Sequence, residues 1–413
     1  MTQTILSPPS LNGSIHLPSS KSISNRALIL NALAGGSVDD GRLQRLADCD
    51  DTLVMTKALR FDTQRIDIGA AGTSMRFLTA FLAGKEGQWE LTGSERMQQR
   101  PIRLLVDALN ALGASITYTQ KEGYPPLSIQ GKQLKGGSIH IEGGISSQYL
   151  SALMMAAPCM QEGLTLHIEG ELISKPYFHM TLELMRQWGV EADWDGKRVH
   201  LPNAAYRTLD FEVEADWSAA SYWYEMLSLA ESGKVELHGL RPNSLQGDAR
   251  VAEWFEALGV HTAFNGEGVT LTQIPTLAQH FEADFTDQPD LAQTVAVTCA
   301  LKGIPFELSG LQSLRIKETD RLHALEVEAA KLGFVFRTTN DSVLTWNGET
   351  CTMNAAPIDT YDDHRMAMAF APVAVAYGIV KINHPEVVSK SYPGFWRDVQ
   401  SVGFHLDNDL PQQ

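Results

Sequence analysis

Several short strings in this chain place cations, hydroxyls and amides where a helix would begin. The first is Leu17-Pro18-Ser19-Ser20-Lys21-Ser22-Ile23-Ser24-Asn25-Arg26, continued by apolar residues at helical spacing, Ile23, Ala27, Leu28, Leu30 and Leu33. The first turn of a helix offers unpaired N–H groups and a partial positive charge. Lys21 and Arg26 add two full charges, so the string suits a phosphate or a carboxylate. It lacks the glycines of a Walker loop. Gly69-Ala70-Ala71-Gly72-Thr73-Ser74-Met75-Arg76 falls between a strand expected over 65–68 and a helix carrying Met75, Leu78, Phe81 and Leu82. Its small residues let a ligand approach the backbone. Ser146-Ser147-Gln148 opens another helix with neutral groups suited to hydroxyls and phosphate oxygens, and Ser174 and Tyr177 stand equivalently on either side of Lys175. Read singly, each string is equally an ordinary capped helix start or a tight turn.

In the C-terminal half these positions become ionic. Asp290 follows Pro289 at the start of an apolar helix, where a carboxylate either complements the helix dipole or serves as a general base. Lys317-Glu318-Thr319-Asp320-Arg321 is expected to set Lys317 and Arg321 on one helical face with Glu318 beside them. Asp362-Asp363-His364-Arg365 precedes an almost wholly apolar helix expected over 366–376, and charges at the mouth of a core are costly unless paired or used. Lys390 repeats the pattern near the end. An exposed salt-bridged turn explains any one of these strings. Their number and placement together read as an anion trap built from cations and helix N-termini.

The elements that must position these residues follow a repeat. Gly36, Gly84, Gly163, Gly233, Gly303 and Gly378 each end an apolar helix and lead into a strand, and a polar knot then opens another helix. Five of those second helices stop at Gly113, Gly189, Gly259, Gly333 and Gly403, as a left-handed C-terminal position favours. The unit reads strand, helix, strand, strand, helix, six times over, which predicts an α/β fold of six repeats. Three units fall within 19–213 and three from 214 onward. A strand over 11–17 has no helix of its own and is expected to complete the second set. The expected domains are therefore 19–213, inserted, and a discontinuous one of 1–18 with 214–413, joined by two chain crossings that would act as a hinge.

Composition narrows the function. The 413 residues are 44% hydrophobic and 20% charged, enough for two cores. Lys plus Arg number 33 against 49 Asp plus Glu, a net charge of -16, which argues against nucleic acid or an acidic membrane as partner. Cys49, Cys159, Cys299 and Cys351 are far apart and form no CxxC pair, as expected of a reduced cytoplasmic chain. Residues 1–9 lack the basic and apolar regions of a signal peptide. The longest uncharged apolar run, 366–380, is broken by Pro372 and Gly378 and is shorter than the roughly 20 residues a membrane span needs.

Taken together, Pro18 to Ser22 with Asn25-Arg26, Ala71-Gly72-Thr73 with Met75-Arg76, Arg100-Pro101-Ile102, Ser146-Ser147-Gln148, Ser174-Lys175-Pro176-Tyr177, Asn243-Ser244 with Gln246-Gly247-Asp248, 317–322 and Asp363 to Met368 resemble the 5-enolpyruvylshikimate-3-phosphate (EPSP) synthases of the enolpyruvyl transferase family. The resemblance spans nearly the whole chain. It implies a two-domain inside-out α/β barrel of six βαβαββ repeats, three per domain, with helices inside and sheets outside. It implies transfer of the enolpyruvyl group of phosphoenolpyruvate to the 5-hydroxyl of shikimate 3-phosphate through a tetrahedral intermediate, with no metal and no organic cofactor. By the same resemblance Lys21, Ser22, Arg26, Ser146, Ser147, Gln148, Ser174, Tyr177, Asp290, Ser313 and Lys317 hold shikimate 3-phosphate. Lys21, Gly72, Arg100, Gln148, Arg321, His364, Arg365 and Lys390 hold phosphoenolpyruvate. Asp290 is the implied base, and Glu318 or Lys21 the proton carrier at the methylene. Glyphosate is the implied inhibitor, Gly72 keeping the space it needs, and the chain is expected to be a monomer.

Three residues depart from the family pattern. Ala70 stands where asparagine is usual, removing a hydrogen bond. Ser313 replaces an asparagine with a shorter side chain, and Phe77 replaces a proline, which is expected to change the helix start and so to affect Gly72 and Thr73. Two rival readings are a UDP-N-acetylglucosamine enolpyruvyl transferase and a non-catalytic anion-binding protein of the same fold. The first has a reactive cysteine in a loop that corresponds to 93–100, where this chain has none; the second is disfavoured by the presence of Asp290, Glu318 and Lys21.

Overall fold

In the computed structural model, which describes residues 1–144, 146–354 and 356–409, the chain forms two compact units, one of Ser20–Val213 and one of Met1–Ser19 with Glu214–Gln413. Among the described residues each unit carries three of the six sheets. One pattern repeats: a parallel strand pair, with two further strands added antiparallel. In the inserted unit, Arg65–Asp67 runs parallel to Gly87–Thr92, which pairs antiparallel with Leu127–Gly131 and then Ile116–Tyr118. Gly137–Glu142, Leu164–Glu169, Arg198–Leu201 and Asp193–Trp194 repeat it. The third sheet is reduced to the parallel pair Leu43–Gln44 and Phe211–Glu212.

The other unit has the same plan. Leu11–His16 pairs parallel with Gly233–His238, followed by Gly268–Gln273 and Val260–Asn265. Phe281–Asp284 and Phe306–Ser309 begin the second sheet, completed by Val343–Trp346 and Arg337–Thr339. In the third, Thr2–Leu6 lies between Ile379–Asn383 and His405–Asp409, antiparallel to both, and an isolated parallel bridge joins Ile358 to Ile382. The N-terminus thus supplies a second strand to this unit, which the sequence reading did not anticipate.

A parallel pair needs a crossover, and here the crossovers are helices buried on nearly every face. Gly72–Gly84, Ser147–Ala156, Trp217–Leu229 and Ala292–Leu301 are rich in Ala, Leu, Met and Val around their whole circumference. The five glycines that end the second helices all lie in the left-handed region, with φ between 90° and 102°, where a Cβ would be strained. The apolar run after Arg365 is not one helix. It forms His364–Phe370 and Val373–Tyr377, because Pro372 can neither donate a backbone hydrogen bond nor fit against the preceding turn. No helix among the described residues is long and apolar enough to cross a membrane.

One buried polar residue stands apart from this plan. Glu225, in the middle of Trp217–Leu229, is fully buried and neither carboxyl oxygen has a hydrogen-bond partner among the described residues. Burial raises its carboxyl well above the ordinary value, so the folded chain holds a proton that the unfolded chain gives up. Stability is therefore lost as pH climbs above the unfolded carboxyl's value. Glu225→Met, similar in size and apolar, is expected to stabilise the fold by roughly 2 kcal/mol at pH 7, the cost of an unsatisfied buried polar group. Thermal melts at pH 5 and pH 8 check this, the gain being larger at pH 8.

Candidate active site

In the unit formed by Met1–Ser19 and Glu214–Gln413, the polar helix starts converge on Asp290. The short turn Pro289–Leu291 presents its carboxylate to three cations. Oδ1 accepts from Nη1 of Arg321 at 2.9 Å and lies 3.6 Å from Nζ of Lys317, while Oδ2 accepts from Nη2 of Arg365 at 3.1 Å. Burial drives the Asp290 carboxyl upward, but Arg365, Lys317 and Arg321 together outweigh it and hold the group well below the usual carboxylate range. Arg321, almost fully buried, also donates to Asp363 Oδ2 at 2.6 Å and to Glu318 Oε2 at 3.0 Å. The other oxygen of Glu318 lies 2.9 Å from Nζ of Lys390. Lys317 is lowered, chiefly by burial, with Asp290 opposing.

Asp363 caps the helix His364–Phe370 by accepting from the backbone N–H of Arg365 at 2.9 Å. It thereby fixes Arg365 to the same point as Arg321. His364 is buried beside it, Nδ1 lying 3.5 Å from Asp363 Oδ1. Arg365 donates to Tyr222 and Ser218, at 3.4 and 3.5 Å, and Ser218 donates in turn to Asp248. Burial first, then the neighbouring charge of Asp290, pushes the Asp248 carboxyl up to about 7, against the pull of Arg365 and Ser218. The cluster thus contains one carboxyl held ionised and one held near neutrality, an arrangement suited to moving protons.

The loop leading into Asp363 is strained. Tyr361 and Asp362 both have positive φ, 53° and 55°, which non-glycine residues rarely adopt. Fully buried Glu328 secures it, accepting from Tyr361 OH at 2.6 Å and the Asp359 backbone N–H at 3.0 Å, with Lys331 Nζ 2.8 Å away. Because Glu328 and Arg321 share the helix Arg321–Lys331, this brace sets Asp363 against Arg321. Arg315 plays a similar part on the other side, donating to Asp320, the N-cap of that helix, at 2.8 Å and to Asp341 at 2.9 Å.

The inserted unit holds the second cluster. Ser20 is the N-cap of Lys21–Leu33, and Nζ of Lys21 lies 3.1 Å from Asp51, in the first turn of Asp50–Ala58. Arg26 is buried and reaches Tyr177, over whose ring its guanidinium lies at 5.8 Å. Ser146 caps Ser147–Ala156, accepting from the N–H of Gln148 at 3.3 Å, and the Gln148 side chain donates to Thr73 at 3.3 Å. Ser174 precedes Lys175–Gln187 in a left-handed conformation, φ 53°, and its hydroxyl does not cap the helix. Arg100 lies against Gly72: a Cβ on Gly72 would stand 2.7 Å from Nη1 of Arg100. Arg76 holds that loop, donating to the carbonyls of Gly72 at 3.1 Å and Pro101 at 3.3 Å.

Two sequence expectations need correction. Lys317 and Arg321 do not share a helical face. Lys317 has extended backbone, ψ −151°, at the end of the turn Gln312–Ile316, and the helix begins at Arg321 because Asp320 caps it there. The two cations meet at Asp290 through a loop instead. Phe77 does not alter a helix start either, since Gly72–Gly84 begins a full turn earlier and Phe77 is buried within it. Ala70 lies exposed in the preceding turn, and Ser313 is half-buried in Gln312–Ile316. Sequence reading missed Asp51, Ser218, Asp248, Arg315, Glu328 and Tyr361 as supporting residues. The signal available for Asp51 and Asp248 was their place in the polar knots that open helices. Among the described residues no group of three or more His, Cys, Asp or Glu is arranged to hold a metal ion.

Comparison with known proteins bears on what these clusters do. The family model for EPSP synthase (3-phosphoshikimate 1-carboxyvinyltransferase) matches residues 6–66 and 60–399. The chain is 51% identical over 408 residues to a 3-phosphoshikimate 1-carboxyvinyltransferase of Bacteroides fragilis (strain YCH46), covering 98% of this chain and 99% of that one. It is 38% identical over 421 residues to the protein of that name from Photobacterium damsela subsp. piscicida, covering 95% and 97%. In three dimensions it is similar to an EPSP synthase from Acinetobacter baumannii with a TM-score of 0.75 over 99% of this chain and 100% of the other, at 20% identity, a likeness of fold.

Proposed function

The chain belongs to the EPSP synthase family, and we propose how its two clusters divide the work of that family's reaction. The reaction moves the enolpyruvyl group of phosphoenolpyruvate to the 5-hydroxyl of shikimate 3-phosphate and releases phosphate, a step of the shikimate pathway. Ser22, Arg26, Ser146, Ser147, Gln148, Ser174 and Tyr177 of the inserted unit take shikimate 3-phosphate, together with Lys317 and Ser313. Arg321, Arg365, His364 and Lys390 take phosphoenolpyruvate, together with Lys21, Gly72, Arg100 and Gln148. Asp290 accepts the proton of the 5-hydroxyl as its oxygen attacks C2 of phosphoenolpyruvate. Glu318 or Lys21 delivers a proton to C3, giving the tetrahedral intermediate, and takes it back as phosphate leaves.

The observation that supports this reading best is that the cations around Asp290 are those assigned to the anionic substrates. Paired with it, they hold Asp290 ionised and weakly basic. Each substrate anion they engage relieves Asp290 of a partner, and its basicity rises when an acceptor is in place. Solvent-deuterium incorporation into the methylene of phosphoenolpyruvate tests the proton step: exchange lost in Glu318→Gln or in Lys21→Met, with substrate binding retained, identifies the carrier. Exchange at the normal rate in both removes both residues from that role.

Gly72 leads to a further expectation. Its missing Cβ is the space filled by the Arg100 guanidinium, so Gly72→Ala pushes aside the end of a flexible side chain and leaves the fold intact. The KM for phosphoenolpyruvate is expected to rise about tenfold, a loss of about 1.4 kcal/mol, with the KM for shikimate 3-phosphate little changed; steady-state kinetics with each substrate varied in turn checks it. Glyphosate inhibits by competing with phosphoenolpyruvate, a reading contradicted by unchanged turnover in millimolar inhibitor. We place the enzyme in the cytoplasm as a monomer, its four free cysteines suiting a reducing compartment.

A further inference from the structure

We propose that Phe77 is a positioning residue for Arg26, and that the face of its ring sets the affinity for shikimate 3-phosphate. The proposal rests on the assignment of Arg26 to that substrate.

Arg26 is only 2% exposed, and its partners are all neutral oxygens. Nε donates to Thr181 Oγ1 at 2.8 Å, Nη1 to the carbonyl of Ser22 at 2.9 Å, and Nη2 to Ser151 Oγ at 3.0 Å and the carbonyl of Tyr177 at 3.5 Å. No carboxylate among the described residues forms an ion pair with it, and burial lowers the guanidinium to about 10. A guanidinium has five N–H donors, so these contacts leave one on Nη1 uncommitted. A buried cation without a counter-ion is costly, and retaining it requires other compensation.

Two aromatic faces supply it. The Arg26 guanidinium lies 5.3 Å from the centroid of the Phe77 ring and 5.8 Å from that of Tyr177, both within range of a cation–π attraction. Tyr177 already contributes its carbonyl to the hydrogen-bonded side, where Thr181 and Ser151 also bond to one another at 2.8 Å. Phe77 comes from a different helix, Gly72–Gly84, and is itself 1% exposed, so its ring cannot swing away. The fixed hydrogen-bond partners and the fixed ring together hold the guanidinium plane before any anion arrives. A preorganised donor binds an anion without the cost of ordering it. The helix Gly72–Gly84 therefore serves both substrates: Gly72 at its start makes room for Arg100, and Phe77 a turn later supports Arg26.

The test varies the ring's electrostatics at nearly constant shape. Phenylalanine at position 77 is replaced by its mono-, di- and trifluorinated analogues, which fill the same space with a progressively weaker negative face, and Phe77→Leu removes the face altogether. The expected result is a KM for shikimate 3-phosphate that rises stepwise with fluorination and reaches about tenfold in Phe77→Leu, with kcat and the KM for phosphoenolpyruvate near wild type. A flat fluorination series overturns the proposal, as does a change in melting temperature with both KM values moving equally. Arg26→Met separates the two levels. If it raises the KM for shikimate 3-phosphate while the fluorinated series stays flat, Phe77 is packing alone; if it leaves that KM unchanged, the assignment of Arg26 fails and the proposal with it.

Discussion

Replacing Arg321 by methionine is expected to destabilise the folded chain by about 3–5 kcal/mol at pH 7, the usual consequence of removing one partner from a buried ion cluster. The guanidinium is almost fully buried and is shared by three carboxylates, Asp290, Glu318 and Asp363, at 2.9, 3.0 and 2.6 Å. Asp363 is wholly buried, and among the described residues its charge keeps, without Arg321, the Arg365 N–H and the edge of His364. Burial works against Arg321's own charge, but the three carboxylates outweigh it and raise its value above that of a free guanidinium. The pH dependence has a definite sign. Asp290 is held below its unfolded value, so its ion pairs contribute stability above the unfolded carboxylate pKa and lose it as pH falls through the folded one. The deficit of Arg321→Met should accordingly persist at any pH above the unfolded carboxylate value, roughly 4, and shrink below it, as read from urea midpoints at about pH 7 and about pH 3. Arg321→Lys should recover little, because one ammonium cannot reach three carboxylates in the planar geometry of a guanidinium.

Asp290→Asn is expected to lower kcat by about 10²–10⁴, the usual contribution of a positioned general base. The amide nearly preserves size, and its one oxygen can still accept from Arg321 or from Arg365 but not from both, its NH2 facing the other donor. The backbone carbonyl of residue 290 continues to accept from Arg365, so folding should survive with a loosened cluster. It cannot take a proton, and it no longer draws Lys317, Arg321 and Arg365 together by charge. KM values should change far less than kcat, the pattern of an interaction made in the transition state. In the wild-type enzyme, the acid limb of kcat should lie at higher pH than that of kcat/KM. The first reports Asp290 after its cations have turned to substrate, and the second reports the free enzyme, where they hold it low. Coincident limbs would mean that the cations never leave Asp290.

How far the sequence was legible depended on the range of the interactions. The left-handed glycines at 113, 189, 259, 333 and 403 were readable because a local conformation demands them, and they marked the repeat. The alternation of strands with apolar helices was readable from the same repeat, but which strands pair, and that the pairs flanking those helices run parallel, came from the structure. Thr2–Leu6 was not readable as a strand, since its partners, Ile379–Asn383 and His405–Asp409, lie at the far end of the chain. Lys317 and Arg321 were correctly linked for the wrong reason: helical spacing suggested a shared face, whereas the Asp320 cap starts the helix later and Asp290 collects both. Glu328 and Tyr361 were out of reach, because nothing local distinguishes a buried carboxylate bracing a strained loop from an exposed one. Glu225 shows the same limit, a charged residue that ordinary helical patterning would place in water.

The measurement that bears most directly on this account is phosphate release from phosphoenolpyruvate, with shikimate 3-phosphate or UDP-N-acetylglucosamine as acceptor, in the wild-type enzyme and in Asp290→Asn. Release with shikimate 3-phosphate alone, reduced at least a hundredfold in Asp290→Asn while both substrates still bind, is the predicted result. Release at an undiminished rate in Asp290→Asn, or release driven by the nucleotide sugar, would contradict it.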